Sequence, residues 1–244
     1  MAIVREIGNR RGEADQLGNL GNCHFCLGNY QQATVLHEVA LRIARETNDR
    51  YLQATSALYL ARVALARREP ARAASLFQEA IRIADASSDI EPAVQARSGL
   101  ARVRLQEGKP AAALSLTGAA RAMNYPTEQA TLWLLEGIAL SAMGADGAHE
   151  AFSQALAGAE AMLALAARNV DALDARALAC AGLALSGEPS RAGEAVATFT
   201  QARTVTAAAG VLDQVASLFD VLAAGDDQGI LAQYRDAVQR TQQQ

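Results

Sequence analysis

The stretch LGNCHFCLGNYQQATVLHEVALRIARETND, residues 20–49, returns twice along the chain at a spacing of forty residues. The second copy is LARVALARREPARAASLFQEAIRIADASSD, residues 60–89, and the third is LARVRLQEGKPAAALSLTGAARAMNYP, residues 100–126. Each copy opens with leucine and a small residue, and alanine recurs thirteen and twenty positions after that leucine. Three copies in one register indicate a repeat protein in which each copy is one structural unit.

Two looser copies follow, WLLEGIALSAMGADGAHEAFSQAL at residues 133–156 and ALACAGLALSGEPSRAGEAVATFTQA at residues 177–202. Each copy predicts two helices joined by a turn that contains glycine or proline, as at Gly28 and Pro70. Small residues such as Gly21, Ala61 and Ala101 are expected where the two helices cross closely. One pair of helices cannot bury this face alone, so the pairs must stack.

The pattern resembles the tetratricopeptide repeat. Its motif positions are occupied here by Leu17, Leu20-Gly21, His24, Gly28-Asn29-Tyr30, Ala33, His37 and Ala40, and later by Trp133 and Gly137. The forty-residue period is similar to the variety found in kinesin light chains, in Leu-Gly-Asn-rich adaptors and in the repeat arrays of bacterial signalling proteins. The resemblance implies an all-α fold, a right-handed superhelix (an α-solenoid) of about five helical pairs with C-terminal capping helices.

The resulting division of the chain is an array over residues 1–209, followed by capping helices over residues 210–244. The expected repeats are approximately 14–50, 51–90, 91–125, 126–168 and 169–209. Residues 1–10 align with the end of a second helix and are expected to be the tail of a preceding repeat.

Enzymatic and metal-binding alternatives are weaker interpretations. The glycines between Leu17 and Ala33 follow no strand and match no phosphate-binding loop. Cys23 and Cys26, three apart on a helix with His24 and His37 nearby, have no second cysteine pair to complete a zinc site. Carboxylates such as Glu38 are spaced for surface ion pairs and have no nucleophile beside them. We therefore expect no catalytic, cofactor-binding or metal-binding residues.

The composition of the chain limits the classes of partner that it is expected to bind. The chain has a net charge of −4, a pI near 5.5 and only 5% aromatic residues, which disfavours nucleic acid. No apolar run is long enough to span a membrane, and three cysteines do not form a disulfide framework. These features predict a cytoplasmic protein without membrane or nucleic-acid partners.

The resemblance implies a protein- or peptide-binding scaffold or sensor, a piece of a larger bacterial signalling protein. A free-standing peptide-sensing regulator and an uncharacterised enzyme stay open as alternatives, as does the oligomeric state. In such arrays the first helix of each pair lines the concave groove. The residues predicted to contact an extended peptide there are Asn19, Asn22, Phe25, Tyr59, Arg62, Gln95, Arg102, Gln106, Leu134 and Ile138.

Overall fold

The computed structural model describes residues 9–243, which form twelve α-helices and two short 3-10 turns and contain no β-strand. The helices are α1 Arg10–Cys26, α2 Tyr30–Glu46, α3 Arg50–Ala66, α4 Pro70–Ser87, α5 Ile90–Gln106, α6 Pro110–Arg121, α7 Gln129–Ala142, α8 Ala148–Leu165, α9 Val170–Leu185, α10 Arg191–Val205, α11 Ala209–Leu222 and α12 Ala232–Gln242. The chain forms two compact units that divide between Val103 and Arg104, inside α5. The boundary near residue 209 between the repeat array and the capping helices stays a prediction.

The helices begin and end where local chemistry requires it. The side chains of Asn9, Asp49 and Asn169 accept hydrogen bonds from the backbone N–H groups of the first turns of α1, α3 and α9. Pro70 and Pro110 open α4 and α6, where a missing N–H leaves no helical hydrogen bond unmade. Each cap fixes the start of a repeat element independently of tertiary contacts.

Consecutive helices pack as hairpins within each unit. In unit 1, α1 packs on α2 and α3 on α4; in unit 2, α7 packs on α8 and α9 on α10. Successive hairpins are joined by α2 against α3 and by α8 against α9. The first helices of neighbouring hairpins also touch, α1 with α3 and α7 with α9. The predicted all-α repeat fold is confirmed.

Small residues permit the close helix crossings. A Cβ atom added at Gly21 would lie 2.7 Å from the His37 ring, and one added at Gly137 would lie 2.7 Å from the Phe152 ring. Ala61 and Ala101 are completely buried. The large side chains of the second helices therefore occupy space that any larger first-helix residue would fill.

The C-terminal helices pack in two different places. α12 lies against α10, and its Tyr234 ring is fully buried with its centroid 5.2 Å from that of Phe199 and 4.5 Å from that of Phe219. α11 instead lies against the first helices α7 and α9. The expectation of two helices that both cap the last repeat does not describe α11. At the other end, Asn9 caps α1, which Arg10 begins, and the rest of the predicted repeat tail lies outside the described residues.

Candidate peptide-binding face

The predicted peptide-binding residues of unit 1 lie on the first helices α1, α3 and α5, and most are partly accessible. We call this set the unit-1 face. Asn19 is exposed, and the half-buried members are Asn22, Tyr59, Arg62, Gln95 and Arg102. Amide and guanidinium groups of this kind can donate to peptide carbonyls and carboxylates, and the amides can also accept.

Two aromatic rings position Arg62 on the unit-1 face. Its guanidinium carbon lies 5.2 Å from the centroid of the Phe25 ring and 5.6 Å from that of Tyr59, so it contacts two aromatic rings on two helices. Phe25 itself is only 3% exposed. Phe25 therefore supports Arg62 from below and offers almost no surface of its own to a ligand, contrary to its predicted role as a lining residue.

Tyr59 rests on a buried histidine. The Tyr59 and His37 rings stack with centroids 5.3 Å apart, and His37 is completely buried. Neither imidazole nitrogen has a hydrogen-bond partner among residues 9–243. Burial, helped by the positive charge of Arg62, lowers the pKa of His37 to about 4. The neutral imidazole thus packs as an aromatic ring beneath the unit-1 face, and sequence reasoning did not anticipate this role.

The other arginines of residues 62–104 are mostly engaged in ion pairs between side chains. Arg72 pairs with Glu38 at 3.4 Å and with Glu69 at 3.3 Å, and Arg97 pairs with Asp85 at 2.8 Å. These contacts neutralise much of the local basic charge indicated by the sequence. Arg62 and Arg102 are the two arginines of this run that belong to the predicted peptide-binding set.

The apolar continuation predicted for unit 2 is covered by the chain itself. Leu134 and Ile138 on α7 are 2% and 1% exposed, and α11 packs against that helix. Gln106, at the end of α5, donates a hydrogen bond from Nε2 to the hydroxyl oxygen of Ser217 on α11. Leu134 and Ile138 therefore do not present an open surface, whereas Gln106 is exposed beside α11. The sequence predicted a capping helix over these residues, but not its packing against α7.

A buried ion pair lies deeper in unit 2. Arg203 on α10 donates to both carboxylate oxygens of Asp174 on α9, at 2.5 and 2.6 Å, and both side chains are less than 9% exposed. Burial outweighs the attraction of Arg203 and raises the pKa of Asp174 to about 6. Because the pair is enclosed between helices, we read it as part of the packing.

The three free cysteines lie in different environments: Cys23 is exposed, Cys26 is half-buried and Cys180 is buried. Burial raises the pKa of the Cys180 thiol to about 12, which makes it a poor nucleophile. Within residues 9–243 there is no group of three or more histidine, cysteine or acidic residues that could hold a metal ion. In the same part of the chain, no helix is both long and apolar enough to cross a membrane.

Comparison with known proteins identifies the repeat in the first part of the chain. A model of the tetratricopeptide repeat family matches residues 13–86. No curated protein matches the sequence. Among solved structures, the Rap conjugation gene regulator of plasmid pLS20, in complex with the Phr* peptide, is 16% identical with a TM-score of 0.69. That match covers 96% of this chain and 64% of the regulator.

Two further structures share the fold. Aspartyl phosphate phosphatase F from Bacillus subtilis is 17% identical with a TM-score of 0.71, over 96% of this chain and 61% of the phosphatase. Kinesin light chain-like repeats from Podospora anserina are 21% identical with a TM-score of 0.55, over 81% of this chain and 96% of the repeat protein. The chain thus spans less than two thirds of the length of the first two relatives, and these likenesses show the fold alone. The chain therefore carries tetratricopeptide repeats, matched by the family model over residues 13–86 and followed by further helical hairpins of the same fold.

Proposed function

We propose that the chain is a protein- or peptide-binding scaffold and that the unit-1 face binds an extended peptide segment. The observation that carries this proposal is the placement of Arg62 over Phe25 and Tyr59. Such packing holds a guanidinium in one orientation, so less side-chain entropy is lost when it binds a carboxylate with two parallel hydrogen bonds. Asn22 and Gln95, half-buried on the flanking first helices, are suited to the peptide backbone.

The likeness to the pLS20 regulator supports a peptide ligand, because that protein was solved with the Phr* peptide. We extend this only to the class of ligand. The expected anchor is a carboxylate of the peptide, from an acidic side chain or the C-terminus, near Arg62 and Arg102. We further propose that the chain acts as part of a larger bacterial signalling protein in the cytoplasm, with a free-standing regulator as the alternative.

Binding without catalysis is the activity we propose for this chain, although one relative of the same fold is named a phosphatase. The groups whose pKa is changed most by burial support this view. His37, Asp174, Cys180 and Tyr234 are all buried in contacts between helices, away from any open cleft. A catalytic acid, base or nucleophile must instead reach its substrate.

The test is selection of peptides from a random library, followed by titration of the best binder against single variants. Arg62→Ala and Arg102→Ala should each weaken binding more than tenfold, because a charge-assisted hydrogen bond contributes about 1.5–3 kcal/mol. Asn22→Ala should weaken it less. The matched control is Arg82→Ala, which removes an exposed arginine from the second helix α4 and should leave affinity unchanged. Equal affinities for all four variants would place the binding site elsewhere.

The Arg62→Lys variant distinguishes recognition of the positive charge from recognition of the planar guanidinium. Lysine keeps the positive charge but loses the planar guanidinium that stacks on Phe25 and Tyr59. We expect Arg62→Lys to recover only part of the affinity lost in Arg62→Ala. Full recovery would show that charge alone is recognised and that the aromatic support is irrelevant to binding.

A further inference from the structure

Helix α11 lies against α7, which carries two of the residues that the sequence predicted to contact a peptide, Leu134 and Ile138. It packs against α7 and α9, the first helices of two neighbouring hairpins, and Ser217 accepts a hydrogen bond from Gln106 at the end of α5. We call the surface formed by α7 and α9 the unit-2 face. We propose that the unit-2 face is a docking site for an amphipathic partner helix, and that α11 is the chain's own removable occupant of that site.

The apolar stripe of α11 fits this role. Leu212, Val215, Phe219 and Leu222 follow one another at spacings of three, four and three residues, and all are buried. Asp220, on the opposite side, is exposed. Spacings of three and four residues place apolar side chains on one side of a helix, as in peptides that bind to apolar grooves.

The receiving helices are correspondingly apolar. Leu134 and Ile138 of α7 and Leu178 and Ala181 of α9 are all at most 2% exposed. If α11 moved away from α7 and α9, part of this apolar surface would meet water. A surface of that kind favours replacement by another apolar helix over an extended polar peptide. The unit-2 face therefore differs in ligand class from the unit-1 face, and it does not depend on the function proposed there.

The start of α11 has no side-chain cap, in contrast to those of α1, α3 and α9. Its N-cap residue is Ala208, which has no side-chain acceptor, and the helix begins with Ala209 and Gly210. By contrast, α9 begins with the side-chain cap of Asn169. A helix of fourteen residues without a capping side chain owes most of its stability to the surface that it covers. Helix formation in α11 is thus coupled to its docking on the unit-2 face.

The chain on both sides of α11 is held separately. α10 precedes it in its hairpin with α9, and α12 follows it, packed on α10 through Tyr234 and Phe199. The turn before α12 is fixed by Asp226, whose carboxylate accepts from the backbone N–H groups of Ile230 and Leu231 at 2.8 and 2.9 Å. Release of α11 would break the Phe219–Tyr234 stack but would leave these flanking contacts in place.

The experiment uses the full chain and a fluorescent synthetic peptide of residues 209–222 as the probe. A tethered segment competes at an effective concentration of about millimolar, so the wild-type chain should bind the probe weakly. Val215→Asp places a carboxylate at the buried stripe and should loosen α11 without altering the unit-2 face. We expect this variant to bind the probe at least tenfold more tightly than wild type. Asp220→Ala, on the exposed side, is the matched control and should bind as wild type does.

A cross-link tests the same site from the other direction. Gln106→Cys and Ser217→Cys, in a chain with Val215→Asp, Cys23→Ser and Cys26→Ser, can be joined by a short bismaleimide to hold α11 in place. The cross-linked chain should not bind the probe, whereas the same chain capped with N-ethylmaleimide should bind it. Equal binding by both forms would overturn the proposal.

Absence of saturable probe binding to Val215→Asp would also overturn the proposal, provided that the fluorescence of Trp133 shows unit 2 folded. If that fluorescence shows unfolding, Leu212→Ala is the milder replacement, and the same requirement for tighter binding applies to it. Hydrogen exchange gives a readout without any substitution: amides of α11 should exchange at least tenfold faster than those of α9. Equal rates would show that α11 is a permanent part of the core. None of these results depends on Arg62 or Arg102, so they are separable from the peptide test on unit 1.

Discussion

Replacement of His37 by phenylalanine should remove much of the acid sensitivity of unit 1. His37 is completely buried, stacks on Tyr59, and has no hydrogen-bond partner for either ring nitrogen among residues 9–243. Burial and the charge of Arg62 lower the pKa of His37 to about 4, against an ordinary value of 6.5. Phenylalanine keeps an aromatic ring at this position, as Phe77 does forty residues later, but it cannot be protonated.

The sign of the effect follows from proton binding. Below pH 6.5 the unfolded chain takes up a proton on this histidine, whereas the folded chain does so only near pH 4. Stability therefore falls as the pH is lowered through this window. The pKa difference corresponds to about 3 kcal/mol at its limit, and to about 2 kcal/mol between pH 8 and pH 5. When the pH is lowered from 8 to 5, the free energy of unfolding of His37→Phe should therefore fall by about 2 kcal/mol less than that of the wild type.

The assay is urea denaturation at pH 8, 6 and 5, followed by circular dichroism, with hydrogen exchange to locate the loss in α1–α3. The comparison uses only the change with pH, so any packing difference between imidazole and phenyl cancels. Other titrating groups, such as Asp174, are common to both proteins and cancel as well. His149→Gln is the control, because the side chain of His149 is half exposed, and it should keep the wild-type acid sensitivity. Identical pH dependence in wild type and His37→Phe would refute the reasoning.

Three substitutions test the packing directly. Ala61→Leu and Ala101→Leu should each lower the free energy of unfolding by about 1–3 kcal/mol, because both alanines are completely buried at helix crossings. An unchanged melting temperature in both variants would contradict the register of the repeats. Arg203→Met should lower the stability of unit 2 by about 3–5 kcal/mol at pH 8, because it leaves the buried Asp174 carboxylate without its cation. In urea denaturation followed by Trp133 fluorescence, an unchanged midpoint would show that the pair is solvated.

The helix hairpins could be predicted from the sequence because the forty-residue period carries their register. Pro70 and Pro110 each begin a second helix, and Gly21 marks a close crossing against His37, as the copies indicated. The exposure of individual groove residues could not be predicted in the same way. The position of a residue in the repeat predicts which helix carries it. Its exposure also depends on which other parts of the chain pack against that helix. Leu134 illustrates the difference, because α11 packs on its helix from more than sixty residues away.

The unit-1 face arises where the repeat departs from its own pattern. In the third hairpin, Gly99 lies against the Phe77 ring, too close to leave room for a Cβ atom. Forty residues earlier the corresponding positions are Tyr59 and His37, which stack instead. The tyrosine that replaces glycine adds far more volume than the smaller imidazole releases, and it is accommodated because Tyr59 is only half-buried and stacks on the His37 ring.

That exchange links packing to binding. Glycine at this register offers no side chain to a ligand, whereas Tyr59 is half-buried and supports the Arg62 guanidinium. Phe25 completes the support from the preceding helix. Replacing Tyr59 with glycine and His37 with phenylalanine together should therefore preserve the fold, in the manner of Phe77 and Gly99, while peptide affinity falls because Arg62 loses one of its two rings. If the double variant kept both its peptide affinity and its melting temperature, the ring of Tyr59 would not be needed for Arg62 to bind the peptide.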